Sequence, residues 1–416
     1  MQYDFDTVVD RSTSLSVKWN KAVIKSVCGN SEAEPFWVAD MDFPVAPEVA
    51  QAAQALAEHA IFGYPHTDKQ RQVFCNWAEQ RHQLKLTERE VVVSQGVLNS
   101  LAVLVEQLSK PGEGIIVPLP AYQPFIRIVR NLERDLLTWP LLYDDTSHRF
   151  SLDWEKLEEL AAKAKLLIFC SPHNPSGLVF DHPTLTRLCL VAKAHNLIIL
   201  CDEIHADLSF TDHVCLHTVA KEVGAAAITC MAPSKTFNIA GEHYSVTLFS
   251  DEAMRTQFIH RLSQLFISDT STFATTLALA SYEKGLPWLQ ALLVYLQKNA
   301  SLVEEFLAKR VPQLIFIKPE ASFIGLVDCS LIMHLVEADK HAHPELYDEQ
   351  KSPGGGLLSR FFGQRAGLAF NDGTWFGGEE YRHFVRLNYG TPTSNVERAL
   401  AKMEEAVNFL FARYRS

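Results

Sequence analysis

Short apolar runs bounded by polar turns recur between residues 91 and 231, at 91–94, 114–118, 166–170, 197–201 and 226–231. Each is four to six residues long and apolar on successive positions rather than alternate ones, the pattern of strands buried on both faces. Between them lie longer stretches whose apolar residues recur every three or four positions, at 97–108, near 124–131 and near 183–195. That spacing predicts helices, and strands alternating with helices predict a mainly parallel sheet wrapped by helices. Upstream, residues 1–46 are irregular and aromatic-rich. PEVAQAAQALAEHA at 47–60 opens on Pro47 and reads as a helix, as does the stretch at roughly 68–83. Residues 275–310 are strongly helical, with Pro287 a boundary or kink.

Beyond 310 the pattern changes to separate strands at 314–318, 322–328 and 384–389, with helices at 355–366 and 394–413. The chain therefore reads as α/β, with a large domain over 47–290 and a smaller α+β domain from 291–416, joined by the arm 1–46. Residues 338–356, rich in Gly, Pro and charge, read as a mobile loop.

Composition narrows the function. The 416 residues are 47% hydrophobic and 21% charged with net charge −11, and no basic run is present. Nucleic acid is thus an unexpected partner, because phosphate binding needs a basic footprint. No apolar run approaches membrane length, and MQYDFDTVVDR lacks the apolar stretch of a secretory signal. Eight cysteines without a CxxC pair read as reduced thiols of a cytoplasmic protein. His341, His343 and Glu345 fall in the 338–356 stretch without the spacing of a metal frame, so no metal is expected.

Candidate chemistry sits in four segments: Ser171-Pro172-His173-Asn174-Pro175, Cys201-Asp202-Glu203-Ile204-His205, Ala232-Pro233-Ser234-Lys235-Thr236-Phe237-Asn238 and Val385-Arg386-Leu387-Asn388. The first three follow apolar runs, which puts their polar residues at strand carboxyl ends, where open α/β sheets bind ligands. A lysine, an aspartate, an asparagine and an arginine brought to one crevice are the tools of a pyridoxal-phosphate (PLP) enzyme. Lys235 is the candidate Schiff-base lysine and base, Asp202 the partner of a protonated pyridine nitrogen, and Asn174 a hydrogen-bond partner of the ring hydroxyl. Gly96 joins a strand to a helix whose first N–H groups suit a phosphate. Tyr122 is a candidate stacking face. Arg386, in an apolar strand, needs a carboxylate, either a substrate's or an internal one. There is no G-x-G-x-x-G, Walker A or G-x-S-x-G string.

With these residues in place, the chain resembles the fold-type-I PLP enzymes of the class I/II aminotransferase superfamily, and within it the MalY/PatB-type cystathionine β-lyases, or C–S lyases. The resemblance runs through FDTVVDRSTSLSVKWN, WVADMDFPV, GYP at 63–65, PHNPSG, CDEIHADLSF, APSKTFNIAG and RLNYGTP. It implies that Lys235 carries PLP, with Asp202, Asn174, Tyr122 and His205 around the ring and Gly96, Val97, Leu98 and Ser234 on the phosphate. It implies that Arg386 takes the substrate carboxylate and that Trp37, Asp40, Met41 and Asp42 line the substrate's way in. It also implies a homodimer with shared active sites, in which Tyr64 reaches the partner's cofactor.

Aminotransferases of the superfamily have an arginine eight residues after the lysine; here His243 stands there, preceded by Glu242. The implied reaction is β-elimination from cystathionine, another S-substituted cysteine or a cysteine sulfoxide, such as a histidine-linked one of thiohistidine biosynthesis. Pyruvate, ammonia and a thiol or sulfenate are the products, and Lys235, Tyr64 or Tyr122 protonates the leaving group. An aminotransferase and a regulatory protein on the PLP fold are the alternatives.

Overall fold

The computed structural model describes residues 3–65 and 68–414. Its centre is a seven-stranded sheet made of β1 (Val91–Ser94), β2 (Gly114–Leu119), β3 (Asp135–Pro140), β4 (Ala164–Cys170), β5 (Ile198–Asp202), β6 (Ala227–Met231) and β7 (Ser245–Phe249). Their order across the sheet is β1-β7-β6-β5-β4-β2-β3. β7 is antiparallel to both β1 and β6, and every other pairing is parallel. β1 therefore points the same way as β4, β5 and β6. All five residues of β5 and all five of β6 are buried, which is why these strands read as unbroken apolar runs.

The helices include α1 (Pro47–His59), α2 (Asp68–His82), α3 (Val97–Leu108), α4 (Thr272–Lys284), α5 (Leu286–Arg310) and α6 (Thr393–Tyr414), with others between. Gly285 separates α4 from α5, and Pro287 sits in the first turn of α5. A proline there lacks only an N–H that would have had no intrahelical partner, so it starts a helix rather than kinking one. α5 crosses residue 290, the boundary expected between the two domains, without a break.

A second, antiparallel sheet has β8 (Ile315–Ile317), β9 (Ile324–Asp328), β10 (Asn371–Asp372) and β11 (Phe384–Asn388) in the order β8-β9-β11-β10. The N-terminal arm runs alongside it: Glu34–Pro35 pairs in parallel with Leu368–Ala369. One core fills the parallel sheet with residues such as Ile115, Leu188 and Leu200. The other unites Trp77 of α2, Val91, Val246, Leu292 of α5 and Leu387 of β11, so the small sheet is packed onto the large one.

The 338–356 stretch differs from the loop expected. Helix covers Met333–Ala342 and Pro344–Tyr347 forms a 3₁₀ turn. Buried Asp339 accepts from Arg365, from the Tyr347 hydroxyl at 2.6 Å and from the Tyr414 hydroxyl at 2.8 Å. Two of these partners lie far along the chain, so a local reading of charge and glycine cannot see them. No described helix is long and apolar enough to cross a membrane.

Candidate active site

β4, β5 and β6 end level with one another, since Cys170 pairs with Asp202 and Asp202 with Cys230. The turns that leave these ends, with the turn after β1, enclose a cavity of about 290 Å³. Asn174, Asp202, His205, Ser234, Lys235, Tyr122 and the Gly96–Leu98 turn all line it. Parallel strands thus gather residues scattered over 140 positions of sequence into one crevice.

Asp202 is the last residue of β5 and is buried; its Oδ1 accepts from the Ile204 N–H at 2.9 Å. No cation pairs with it among the described residues. Burial pushes its carboxyl up to about 7, partly offset by that N–H and by Lys235. A carboxylate kept in this state has room for an external cation. Lys235 is half-buried, and its Nζ donates to the Ala39 carbonyl at 2.7 Å. Burial lowers its ammonium pKa, Asp40 and Asp202 pull it back, and Arg386 lowers it further. His205 is buried with Nδ1 3.0 Å from the Ser322 hydroxyl. Burial and the nearby charges of Lys235 and Arg386 bring it down to about 3, so it is neutral.

Arg386 lies at the middle of β11, 2% exposed. It donates to Asn174 Oδ1 at 3.1 Å and to the Trp37 carbonyl at 2.6 Å, while its Nε has no partner among the described residues. Its guanidinium sits 4.9 Å from the Phe376 ring centre. The internal salt bridge that the sequence left open is not there: no described carboxylate pairs with Arg386. Burial brings its pKa down to about 10, so it stays charged. An unmatched buried guanidinium is costly unless a carboxylate completes it. Asn174, bound through its oxygen, keeps its amide donors for a ligand. Tyr122 forms a wall, edge-on to Phe125 at 5.6 Å and 5.9 Å from Trp375 between ring centres. Burial pushes its hydroxyl pKa up.

The turn between β1 and α3 is possible because Gly96 takes φ +92°, a conformation that favours glycine. It turns the first N–H groups of α3, those of Val97 and Leu98, toward the cavity's rim, where an anion is stabilised. His243 borders the same end: a methyl group on Gly96 would meet its Nδ1 at 3.6 Å. These residues fit PLP: a turn for phosphate, a cation-seeking carboxylate, an aromatic wall and an amine in one cavity.

The WVADMDFPV segment is placed differently from the lining expected. Only Ala39 borders the cavity. Met41 is fully buried, and the Asp40 and Asp42 carboxylates are held by Arg11 and Lys18. Trp37 is half-buried, its indole N–H given to the Lys18 carbonyl at 3.1 Å. The segment acts through its backbone instead. Carbonyls of Trp37, Val38, Ala39 and Asp40 accept in turn from Arg386, Asn388, Lys235 and Asn388. Asn238 of the SKTFN string fastens it at Met41 and Phe43. Tyr64 is fully exposed and outside this chain's cavity.

One residue of the site was missed in the sequence. Asp207, two beyond His205, accepts from Trp77 Nε1 at 3.0 Å and from Thr236 Oγ1 at 3.0 Å and meets His82 Nε2 at 2.7 Å. It ties the residue after Lys235 to α2. Its place in CDEIHAD was the available signal.

The Aminotransferase class I and II family model matches residues 36–403. The chain is 35% identical over 334 residues to cystathionine β-lyase PatB of Bacillus subtilis (strain 168), covering 79% of this chain and 85% of that one. It superposes on a PLP-bound protein of Clostridium difficile 630, provisionally named an aminotransferase, with TM-score 0.89 and 31% identity over 98% of this chain and all of that one. A PLP-bound C–S lyase from Staphylococcus hominis superposes with TM-score 0.85 and 25% identity, covering 98% of each chain.

Proposed function

The chain belongs to the Aminotransferase class I and II family, and from that premise we propose that it is a PLP-dependent C–S lyase working by β-elimination. The observation that carries the reading is one cavity lined by an amine, Lys235, and by a buried carboxylate, Asp202, that no cation among the described residues pairs with, next to a buried guanidinium, Arg386, that no described carboxylate meets and that donates to Asn174 of the same lining. Elimination rather than amino transfer is supported by the likeness to a cystathionine β-lyase and by His243 bordering the phosphate turn, where aminotransferases of the superfamily carry an arginine.

Bound here, PLP supplies a protonated ring that accepts the electron pair released when Cα loses its proton. Asp202 would keep the proton on the ring nitrogen by its charge. Asn174 would donate to the ring hydroxyl, Tyr122 would stack on the ring, and Val97, Leu98 and Ser234 would hold the phosphate on the Gly96 turn. Arg386 receives the substrate α-carboxylate through the donor now unpaired. Lys235 would hold the cofactor through its amine and, when free, would take the Cα proton. The C–S bond then breaks with its electron pair on sulfur, and Lys235, Tyr122 or Tyr64 of a second copy protonates that sulfur. Water completes the products pyruvate and ammonia.

Cystathionine, another S-substituted cysteine or a cysteine sulfoxide, including a histidine-linked one, is the substrate class. Exposed Ile61, Phe62, Tyr64 and Phe266 support a homodimer in which Tyr64 completes the neighbouring site. We place the enzyme in the cytoplasm, where its eight free cysteines stay reduced.

The test is a product assay on PLP-loaded protein without any keto acid, with cystathionine, S-alkyl cysteines and a cysteine sulfoxide in parallel. Pyruvate accumulating over many turnovers is expected. Conversion of the cofactor to its amine form without pyruvate would replace the reading by an aminotransferase. Arg386→Lys keeps the charge but loses the fork that suits a carboxylate. It is expected to raise the substrate KM about 10- to 100-fold, since a hydrogen bond to a charged group contributes about 1.5–3 kcal/mol. The visible absorbance of the bound cofactor should not change; an unchanged KM would mean that another group holds the carboxylate.

A further inference from the structure

The 37–43 segment borders the cavity at Ala39 and forms neither helix nor strand. An irregular buried segment must find its hydrogen-bond partners elsewhere. Four of its successive carbonyls meet Lys235, Arg386 and Asn388, so a slip of one residue would take the Ala39 carbonyl from Lys235 and the Trp37 carbonyl from Arg386. What fixes the register is a charge cluster supplied by the N-terminal arm. Lys18, 1% exposed, lies 2.9 Å from Asp42 Oδ2 and 3.5 Å from Asp40 Oδ1, and donates to the Asp40 carbonyl at 3.1 Å. Arg11 spans both carboxylates, 2.7 Å from Asp42 Oδ1 and 3.0 Å from Asp40 Oδ2, and donates to the Met41 carbonyl at 3.0 Å. Trp19 Nε1 adds a bond to Asp42 Oδ1 at 3.3 Å.

For stability alone such a cluster is a poor choice, because well-packed apolar residues do as well as a buried ion pair or better. Its two carboxylates stand on the strand of chain that holds the catalytic amine.

We infer that Arg11 and Lys18 are positioning residues of the active site: with Asp40 and Asp42 they clamp the 37–43 strap in the register that holds Lys235 and Arg386, and Arg11 shields Lys235 from the Asp40 carboxylate. This rests on Lys235 carrying the cofactor as proposed above. The charged and titratable groups facing Lys235 are Asp40 from the strap, Asp202 and His205 from the end of β5, and Arg386 from β11. Of the two carboxylates, Asp40 alone carries its counter-cations outside the cavity. Removing Arg11 therefore strengthens the negative charge felt at Lys235, and removing the Asp40 charge weakens it.

The test is the pH titration of the visible imine absorbance of PLP-loaded protein, read with the PLP dissociation rate. Arg11→Ala is expected to raise the midpoint by about 0.5 to 1 pH unit and to speed PLP loss, with Arg11→Lys restoring the midpoint. Asp40→Asn is expected to lower it. A fold merely weakened by either change does not produce opposite signs. Should the two variants leave the midpoint and the dissociation rate as in the parent, the clamp is overturned while the assignment of Lys235 stands. If the parent itself shows no imine absorbance, both fall.

Discussion

Lys235→Ala is expected to remove the visible absorbance of the bound cofactor and to reduce turnover by more than about 10³-fold, while leaving the chain folded. The loss is large because one side chain serves twice, as the amine that holds PLP and as the base that takes the Cα proton. The fold should survive, because among the described residues the one side-chain hydrogen bond lost is that from Nζ to the Ala39 carbonyl, and the neighbouring Thr236 remains anchored on Asp207. An absorption spectrum, a pyruvate assay and a thermal melt on the same preparation decide it. Turnover within tenfold of the parent would mean that neither role belongs to Lys235.

The same variant also tests the second copy. Tyr64 is fully exposed on its own chain. If it completes the neighbouring site, a Tyr64→Ala chain is impaired as well, yet mixing it with Lys235→Ala chains creates heterodimers with one intact site. Activity should then reappear on mixing. Two inactive preparations that stay inactive after verified subunit exchange would remove Tyr64 from the site.

Much of this site was legible in the sequence because of how parallel strands are buried. β4, β5 and β6 are covered on both faces, so each shows as an apolar run, and polar residues at or within four positions of its end, Asn174, Asp202 and Lys235, stand at the crevice. β7 was not legible. Its SVTLF run follows the lysine loop directly, and its antiparallel insertion is settled by pairing with β1 and β6 rather than by its own pattern. β3, DLLTWP, is an edge strand without a continuous apolar run, and it was missed for that reason. Asp40 and Asp42 were readable as acidic residues of a loop near the substrate. That they face Arg11 and Lys18 instead depends on an arm some twenty to thirty residues away. Periodicity carries the face a residue presents and not the partner it meets, and for carboxylates the partner decides the role.

Asp202→Asn should separate stability from function. In PLP-free protein burial lifts the Asp202 carboxyl to about 7 from an ordinary 3.8. The folded state thus keeps a proton that the unfolded chain releases. Stability from this group is fully present below pH 4, is lost as pH rises to about 7, and is level beyond; the loss is on the order of 4 kcal/mol. Asparagine does not titrate, so the PLP-free variant should lose this decline and melt higher than the parent at pH 8, though not at pH 4. Loaded with PLP, the order reverses. The ring nitrogen supplies the cation that the carboxylate lacks, and an asparagine cannot hold a proton there by charge. Turnover should fall about 10²- to 10³-fold, the usual cost of removing one preorganised electrostatic partner. Melts of the PLP-free protein across pH 4–8 and turnover of the loaded protein check the two halves separately. Retained turnover would show that Asp202 does not face the ring nitrogen. An unchanged pH dependence of melting would show that its burial is relieved by water in the free protein. A residue that destabilises the empty chain and is indispensable to the loaded one is kept for the ligand, because only a bound cation makes its burial favourable.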